Sequence, residues 1–219
     1  MSYKVFQIRT TEVAPWLLNI HYAKRIPNIM YAFGLYMQNE LVGIVTYGSP
    51  ASQSLCKGIA GNEFKKIVLE LNRLVLKNNI KNEASFLVSN SFKLLPKPSI
   101  IVSYADTNQN HTGYVYQATN FIYTGLSEKR TEWKMKNSNK HSKTICEQYT
   151  LKERKNNPDK FEVIDRSRKH RYIYIIGNKK DKKNIINKLK YPKLKYPKTP
   201  NEKYSTNFNI PTQPILNLI

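Results

Sequence analysis

The chain has 219 residues, with 36 lysines and arginines against 15 acidic residues, a formal net charge of +21 at pH 7. This length suits one ordinary domain with an appendage, and it can bury a core without disulfide bonds. No apolar run is long enough to span a membrane, and the first residues lack the apolar core of a signal peptide. Cys56 and Cys146 match no metal or redox spacing. We therefore expect a cytoplasmic protein with free thiols and no membrane contact.

The positive charge is concentrated in the second part of the chain. Residues 1–126 hold 12 basic and 6 acidic side chains, whereas residues 127–219 hold 24 and 9. An A·T-rich genome would add lysines without purpose, but it would not produce this asymmetry. The pattern predicts a catalytic core over residues 1–126, a basic region over 127–190 that completes the core and meets a polyanion, and an extended tail over 191–219.

Hydrophobic periodicity and turn residues predict the elements in chain order. They are a helix or helix–turn over 11–25, a hairpin of strands 31–37 and 41–48, a loop over 49–64, a buried strand over 66–76, a helix over 86–95, strands over 100–104 and 121–123 with a short helical turn between them, and a strand over 172–176. This order predicts an α/β or α+β fold, a mixed sheet with helices on its faces. Within the strand 66–76, Arg73 is expected to be an ion-pair member or an anion holder, because a buried charge needs a partner.

Polar residues gather where the strand 100–104 ends. Asp106 follows it directly, and His111, Tyr114 and Tyr116 come within ten residues. Ligands in sheets flanked by helices bind near the carboxyl ends of strands. A functional site is predicted here, although Asp and Asn are also common in ordinary turns.

A second pair of polar residues, His21 and Tyr22, follows the apolar face of the first predicted helix. Together with Asp106 and Tyr116 it is predicted to line one crevice. An Asp or His there could act as a general base on an amine, and a Tyr could donate to a developing oxyanion or to a leaving group. Alternatively, His21 caps its helix and Tyr116 is a core residue.

The strings KRTEWKMK and RKHRYIY mix basic and aromatic residues. This mixture favours base stacking and phosphate contacts, and a solvated charged face is the alternative. The predicted DNA contacts are Lys129, Arg130, Trp133, Lys169 and Arg171. The near-repeat YPKLKYPK predicts an extended strap that lies along the core or along a nucleic-acid backbone.

Several strings resemble the phage Mom family, the adenine methylcarbamoylation proteins, over about residues 10–180. These strings are HYAKRIP, YAFGLY, GIVTYGSPAS, ELNRLVL, FLVSNSFKLLP, IIVSYADTNQNHTGYVYQATNFIYTGLSEKRTEW and KHRYIY. The resemblance implies an enzyme that places a carbamoylmethyl (acetamido) group on the 6-amino group of adenine in double-stranded DNA and so protects phage DNA from host restriction. It also implies a GNAT-like fold, in which residues 66–76 and 99–106 are the central strands that splay apart.

The resemblance further implies that His21, Tyr22, Asp106 and Tyr116 are catalytic. Weaker matches are Arg73, Ser89 and His111, which would bind substrate or an anion. GNAT enzymes hold the CoA pyrophosphate on a glycine-rich loop at a helix amino end. The corresponding connection here, LKNNIKNEASFLVS, has no glycine.

The sequence does not identify the donor. Acetyl-CoA and a related acyl or glycine-derived donor are candidates, and so is an iron ion held by His21, Tyr22 and Asp106, whose side chains are competent ligands. Two other functions stay open, a non-enzymatic basic nucleic-acid-binding protein and an acetyltransferase for a protein or small amine. The apolar residues 215–219 could dock on the same chain or on a second copy, so a dimer is also open.

Overall fold

The structure is a computed structural model that describes residues 2–138, 140 and 142–198. Residues 199–219 of the predicted tail, which include the apolar segment 215–219, lie outside the described part. The strands in this part are β1 (Tyr3–Gln7), β2 (Tyr31–Met37), β3 (Glu40–Gly48), β4 (Val68–Leu76), β5 (Ser99–Asp106), β6 (Ile122–Leu126), β7 (Arg130–Met135), β8 (Phe161–Arg166) and β9 (Lys169–Ile176). The α-helices are α1 (Thr10–Pro15), α2 (Gln53–Ala60), α3 (Glu83–Leu94), α4 (Tyr114–Ala118), α5 (Ser142–Gln148), α6 (Leu151–Asn156) and α7 (Lys179–Lys188).

Seven strands form the central sheet in the order β1-β2-β3-β4-β5-β9-β6. Its only parallel pair among the described strands is β4 with β5, and every other pair is antiparallel. The predicted mixed α/β sheet with flanking helices is confirmed. The predicted hairpin is also confirmed, since β2 and β3 are joined at Gln38 and Asn39, which both have positive φ, as tight hairpin turns require.

Each face of the sheet is covered by helices. On one face α3 packs over the middle strands, and its buried apolar side chains are Leu87, Val88 and Phe92. On the other face, α2 and α7 bury Ile59 and Ile185 against β5 and β9. These are the two faces that the alternating apolar residues of β5 require, because successive side chains of a strand point to opposite sides.

The central strands β4 and β5 separate after a short paired segment. They are in register only from Val68 to Glu70 against Ile100 to Val102. Beyond this segment β4 stays paired with β3 and β5 stays paired with β9. A gap therefore opens between β4 and β5 at their carboxyl ends, which confirms the predicted splay.

Several elements differ from the prediction. The predicted loop 49–64 contains α2, which begins at the N-cap Ser52 and presents an apolar face. Strand β1 was not predicted, and residues 127–168 form a separate lobe in which β7 pairs with β8 beside α5 and α6. In the lobe, strongly charged segments with few apolar residues hide such elements from periodicity, since α5, α6 and β8 have one buried residue each.

The structure shows where the described part of the strap lies. Up to residue 198 it lies along the core, where the Leu194 amide donates to the Tyr123 carbonyl at the edge of β6, and the Tyr196 hydroxyl donates to the Phe121 carbonyl. The strap therefore covers the β6 edge of the sheet. Within the described residues, no helix combines the length and the apolar character needed to cross a membrane.

The connection that carries His21 and Tyr22 into β2 is fixed against β3 and β4. The Asn72 side chain donates to the Asn28 carbonyl at 2.8 Å and accepts from the Thr46 hydroxyl. Gly48 allows this approach, because a Cβ at that position would lie 1.9 Å from the Asn28 carbonyl oxygen.

We expect Gly48→Ala to lower the free energy of unfolding by about 1–3 kcal/mol, because it overpacks this contact. Gly58→Ala is the matched control. Its Cβ would meet only the Tyr191 hydroxyl, at 3.1 Å, and alanine favours a helix. Urea denaturation of both variants is the measurement, and equal stability of the two would contradict the role given to Gly48.

Candidate functional site

His21 and Tyr22 are presented at the gap by an irregular helix end. Pro15 lies at the end of α1, and the chain continues as a π-helical turn over Trp16–Ile20. Proline lacks the amide proton that a regular α-helix would use, so a widened turn is expected there. The turn closes when the His21 amide donates to the Trp16 carbonyl, and His21 itself is extended. The first helix is therefore shorter than predicted and ends at residue 20.

The His21 imidazole is a neutral donor. Its Nδ1 accepts the Ala23 amide at 3.0 Å, so the proton of the neutral ring lies on Nε2. Burial, and then the charge of Arg73, lowers the pKa of His21 to about 4. The ring stacks on Tyr22 with centroids 4.4 Å apart. His21 can therefore donate a hydrogen bond into the gap, but it is a poor base there.

Arg73 lies on β4 just beyond the point where β4 leaves β5. A β-bulge at Asn72 interrupts the register with β3 and reorients the strand. The Arg73 guanidinium donates to the Asn72 carbonyl at 2.6 Å, and the Arg73 Nε is buried without a partner in the described structure. Burial lowers the pKa of Arg73, while Tyr22 and Glu70 oppose this shift. Such a group is suited to bind an oxygen atom of a substrate.

Asp106 ends β5 on the other side of the gap. One carboxylate oxygen accepts the Ser167 hydroxyl at 2.7 Å and the Asn108 amide at 3.1 Å, and the other lies 3.1 Å from Lys169 Nζ. Burial alone would raise the pKa of Asp106, but Ser167 and Lys169 outweigh burial and hold it below its ordinary value. Asp106 is therefore an ionised acceptor of low basicity.

Tyr116 reaches the gap from the α3–α4 face. Burial raises the pKa of Tyr116 to about 12, and the nearby Ser103 side chain opposes this shift. Ser103 itself donates to the Leu71 carbonyl where the strands part. The hydroxyl of Tyr22 interacts electrostatically with both Asp106 and Tyr116. Tyr22 and Tyr116 thus remain protonated donors at neutral pH, on the same side of the molecule as Asp106.

His111 completes the group. Its amide donates to the Asp106 carbonyl, its pKa is lowered by burial, and its charge would also interact with His21. The structure therefore brings together six of the seven residues predicted for catalysis and substrate binding. These are His21, Tyr22, Arg73, Asp106, His111 and Tyr116.

Ser89 is the seventh residue, and the structure places it elsewhere. It is exposed on α3, where its hydroxyl donates to the Phe86 carbonyl. It lines a groove between α3, α4 and the start of α7 rather than the gap between β4 and β5.

Two residues at the gap were not predicted as part of it. Glu70 is the last residue of β4 paired with β5, and burial raises its pKa although Arg73 and Lys169 oppose the shift. Its signal in the sequence was a carboxylate inside an apolar strand. Lys169 was predicted to contact DNA, but it forms the ion pair with Asp106. Its proximity depends on β9 returning beside β5, which no local pattern indicates.

The remaining predicted DNA contacts lie in two different settings. The Arg171 side chain makes its contacts within the protein. Its guanidinium donates to the side chain and the carbonyl of Thr124 and lies 3.4 Å from the Tyr191 ring centroid. Lys129 and Arg130 are exposed at the start of the lobe. Trp133 is half-buried with Arg154 above its ring at 5.1 Å.

The side chains at the gap do not fit an iron site. A metal cation at Asp106 would compete with the Lys169 ammonium, which already lies 3.1 Å from one carboxylate oxygen. His21 Nδ1 accepts the Ala23 amide, and the pKa of Tyr22 is raised, so its phenolate is disfavoured. Within residues 2–138, 140 and 142–198, no three His, Cys, Asp or Glu side chains form a group that could hold a metal ion. The donors expected from the sequence are present but already engaged.

The amino end of α3 does not fit a pyrophosphate either. Glu83 is 1 % exposed at the first position of the helix, where its carboxylate accepts the Ile80 amide and the Tyr3 hydroxyl, each at 2.9 Å. A fixed negative charge occupies the place at which a helix amino end would otherwise bind an anion. This agrees with the missing glycines of the β4–α3 connection.

The chain belongs to the Mom protein family, whose family model matches residues 2–198. The match is longer than the resemblance over about residues 10–180 and includes the strap. A curated relative is the protein named methylcarbamoylase mom of Escherichia phage Mu, which is 26% identical over 139 residues. The aligned region covers 58% of this chain and 58% of the phage Mu protein.

Solved structures of similar fold are acetyltransferases. One is the ribosomal-protein-S18-alanine N-acetyltransferase of Escherichia coli, with 8% identity and a TM-score of 0.45, covering 81% of this chain and 96% of that chain. Another is a GNAT-family acetyltransferase of Streptococcus pneumoniae, with 8% identity and a TM-score of 0.43, covering 80% and 100%.

We expect Ser167→Ala to raise the pKa of Asp106, because it removes a hydrogen bond to the ionised form. A depressed carboxyl pKa stabilises the fold above the unfolded-state pKa of about 4, and this contribution is lost as the pH falls through the folded pKa. The variant should therefore be less stable than the parent at pH 7 and converge with it in acid.

Titration of the Asp106 carboxyl carbon by NMR and urea denaturation across the pH range are the measurements. Ser138→Ala in the lobe is the matched control. An unchanged Asp106 pKa in Ser167→Ala would show that the Ser167 hydrogen bond does not persist in solution.

Proposed function

We propose that this protein converts adenine in double-stranded DNA to its N6-carbamoylmethyl form, the modification that would protect phage DNA from host restriction. The observation that carries the proposal is the convergence of His21, Tyr22, Asp106 and Tyr116 at the gap between β4 and β5. Membership of the Mom family and the name of the phage Mu relative support the same chemistry.

Recognition of the adenine amine is assigned to Asp106. An exocyclic amine is a hydrogen-bond donor, and the ionised Asp106 has acceptor capacity beside its bonds to Ser167 and Lys169. Since its pKa is lowered, Asp106 orients the amine rather than removing its proton. The neutral His21 donates from Nε2, which suits a ring nitrogen of the base or an oxygen of the transferred group.

Glu70 is the better proton acceptor. Its pKa is raised by burial, so it holds a proton more readily than Asp106 at neutral pH. It lies where the paired part of β4 and β5 ends, and its charge interacts with those of Arg73 and Lys169. In this assignment Glu70 takes the proton that the amine loses when its nitrogen bonds to the carbon of the transferred group, while the bond from that carbon to the leaving group of the donor breaks and the leaving group keeps the electron pair.

The two tyrosines receive the base and the transferred group. Tyr22 is 59 % exposed and stacks on His21, which together form an aromatic platform for a base that has left the helical stack. Tyr116, protonated and half-buried, donates to the oxygen of the transferred group, and the unpaired Arg73 Nε adds a second donor.

In this proposal the lobe binds DNA. Its exposed cations Lys129 and Arg130 lie next to Ser127, whose hydroxyl accepts the Lys169 amide. Nine further lysines and one aspartate occupy residues 179–198, in α7 and the strap. Both segments would contact phosphates without reading sequence.

We expect Asp106→Asn and Tyr116→Phe to lower adenine modification at least about a hundredfold while DNA affinity stays nearly unchanged, because both groups act on the reacting atoms. The measurement is mass spectrometry of nucleosides from DNA of cells that express each variant, with affinity measured on purified protein. Asp165→Asn in β8 and Tyr149→Phe beside it are matched controls for the two substitutions. Equal loss of binding and modification would show that Asp106 and Tyr116 hold DNA rather than act on it. If the parent chain itself leaves adenosine unmodified, the enzymatic function is wrong and the non-enzymatic nucleic-acid-binding protein is the function that remains.

We expect Lys129→Gln/Arg130→Gln to weaken DNA binding and to reduce the slope of log affinity against log salt by about 2, one unit for each phosphate that is no longer neutralised. The control is Lys65→Gln/Lys66→Gln, which removes the same charge at the amino end of β4, away from the gap. Binding isotherms at several salt concentrations are the measurement. If both pairs reduce the slope equally, the lobe has no special part in DNA binding.

A further inference from the structure

A second concave site lies on the face of the sheet that α3 covers. It is a groove of about 750 Å³ between α3, α4, the end of β9 and the start of α7. Helix α4 has only five residues, and Tyr174 and Ile176 at the end of β9 line the groove beside it. A volume of this size accommodates a small organic ligand.

The floor of the groove is aromatic. Tyr174 stacks on Phe92 with ring centroids 4.4 Å apart and an interplanar angle of 18°, and Phe86 lines the same wall. Tyr174 is half-buried, so part of its ring faces the groove, while Phe92 and Phe121 fix its position. A rigid aromatic ring at the bottom of a groove is suited to stack against a planar heterocycle.

The rim of the groove is cationic. Lys93, Lys97 and Lys182 line it, and no acidic side chain is among its lining residues in the described part of the chain. The Lys182 ammonium lies 5.9 Å from the Tyr174 ring centroid, which places a charge next to the aromatic floor. Polar amides and hydroxyls complete the wall, and they include Asn82, Ser85, Ser89, Asn120 and Asn178.

Carboxylates already occupy the amino ends of the two helices at the groove, so an anion would have to bind to the lysines. Glu83 fills the amino end of α3. At α7, Asn178 and Asp181 form a capping box in which the Asp181 carboxylate accepts the Asn178 amide at 3.1 Å. An anion in the groove would thus be bound by ammonium groups near the carboxyl end of α3 rather than by backbone amides.

We propose that this groove binds a nucleotide, with the base against Tyr174 and the phosphate on Lys93, Lys97 and Lys182. A planar heterocycle joined to an anion matches an aromatic floor beside a cationic rim, and the side-chain amides supply donors and acceptors for base edges. The same chemistry comes from two sources, a free nucleoside phosphate or one nucleotide of a single strand. The groove shares none of the residues at the gap, so this site stands or falls independently of the proposed function.

The test is isothermal titration calorimetry of the full chain with ADP and, separately, with a short single-stranded oligodeoxynucleotide. Lys97→Gln/Lys182→Gln removes two rim charges, and we expect at least about a tenfold loss of affinity for the probe that binds, because its hydrogen bonds to charged groups are removed. Lys183→Gln/Lys188→Gln is the matched control, since it removes the same charge from α7 outside the groove.

Binding of ADP that weakens only in the Lys97/Lys182 variant identifies a free nucleotide as the ligand. Binding of the oligonucleotide alone, with the same selectivity between the two variants, identifies a nucleic-acid strand. Equal weakening by both variants, or no binding of either probe by the parent chain, would overturn the proposal. Thermal unfolding of both variants checks that neither substitution disturbs the fold.

Discussion

The site depends on the separation of β4 from β5 after three paired residues. In a continuous sheet the backbone groups beyond Glu70 and Val102 would bond to each other. Here each strand keeps only its outer partner, and the Ser103 hydroxyl donates to the Leu71 carbonyl at 2.9 Å in place of a backbone amide. This bond satisfies one backbone carbonyl at the point of divergence, where the sheet can no longer supply an amide partner.

The gap explains why side chains from both faces meet. Glu70, Arg73 and Asp106 lie at its edges, while Tyr116 approaches from the layer that α3 and α4 form. The two carboxylates then differ in their environment. Asp106 is held ionised by Ser167 and Lys169, whereas burial favours the protonated form of Glu70. Two groups of the same type whose pKa values are pushed apart can divide orientation and proton transfer between them.

Much of this arrangement could be predicted, because the signals were local. Asp106 follows a short β-branched run, and the order of elements indicated a sheet whose strand ends would collect polar residues. The position of Lys169 could not be predicted in this way. It lies opposite Asp106 only because β9, far along the chain, pairs antiparallel with β5, so a residue in a basic string became an ion-pair partner. Helix α2 was missed for another reason, since its apolar face needs only Cys56, Ile59 and Ala60.

The lobe has a physical connection to the site as well as a positive surface. Its two ends lie together beside Asp106, where the Thr107 hydroxyl and amide donate to the Arg168 carbonyl and the Arg168 Nε donates to the Ser127 carbonyl. Ser167, the first residue after β8, donates to Asp106 itself. In the proposed function, DNA bound by the lobe would be connected through these hydrogen bonds to the carboxylate assigned to the amine. Of these bonds, the one from Ser167 helps to lower the pKa of Asp106, so a residue that joins the lobe to the site also influences the charge state of the carboxylate.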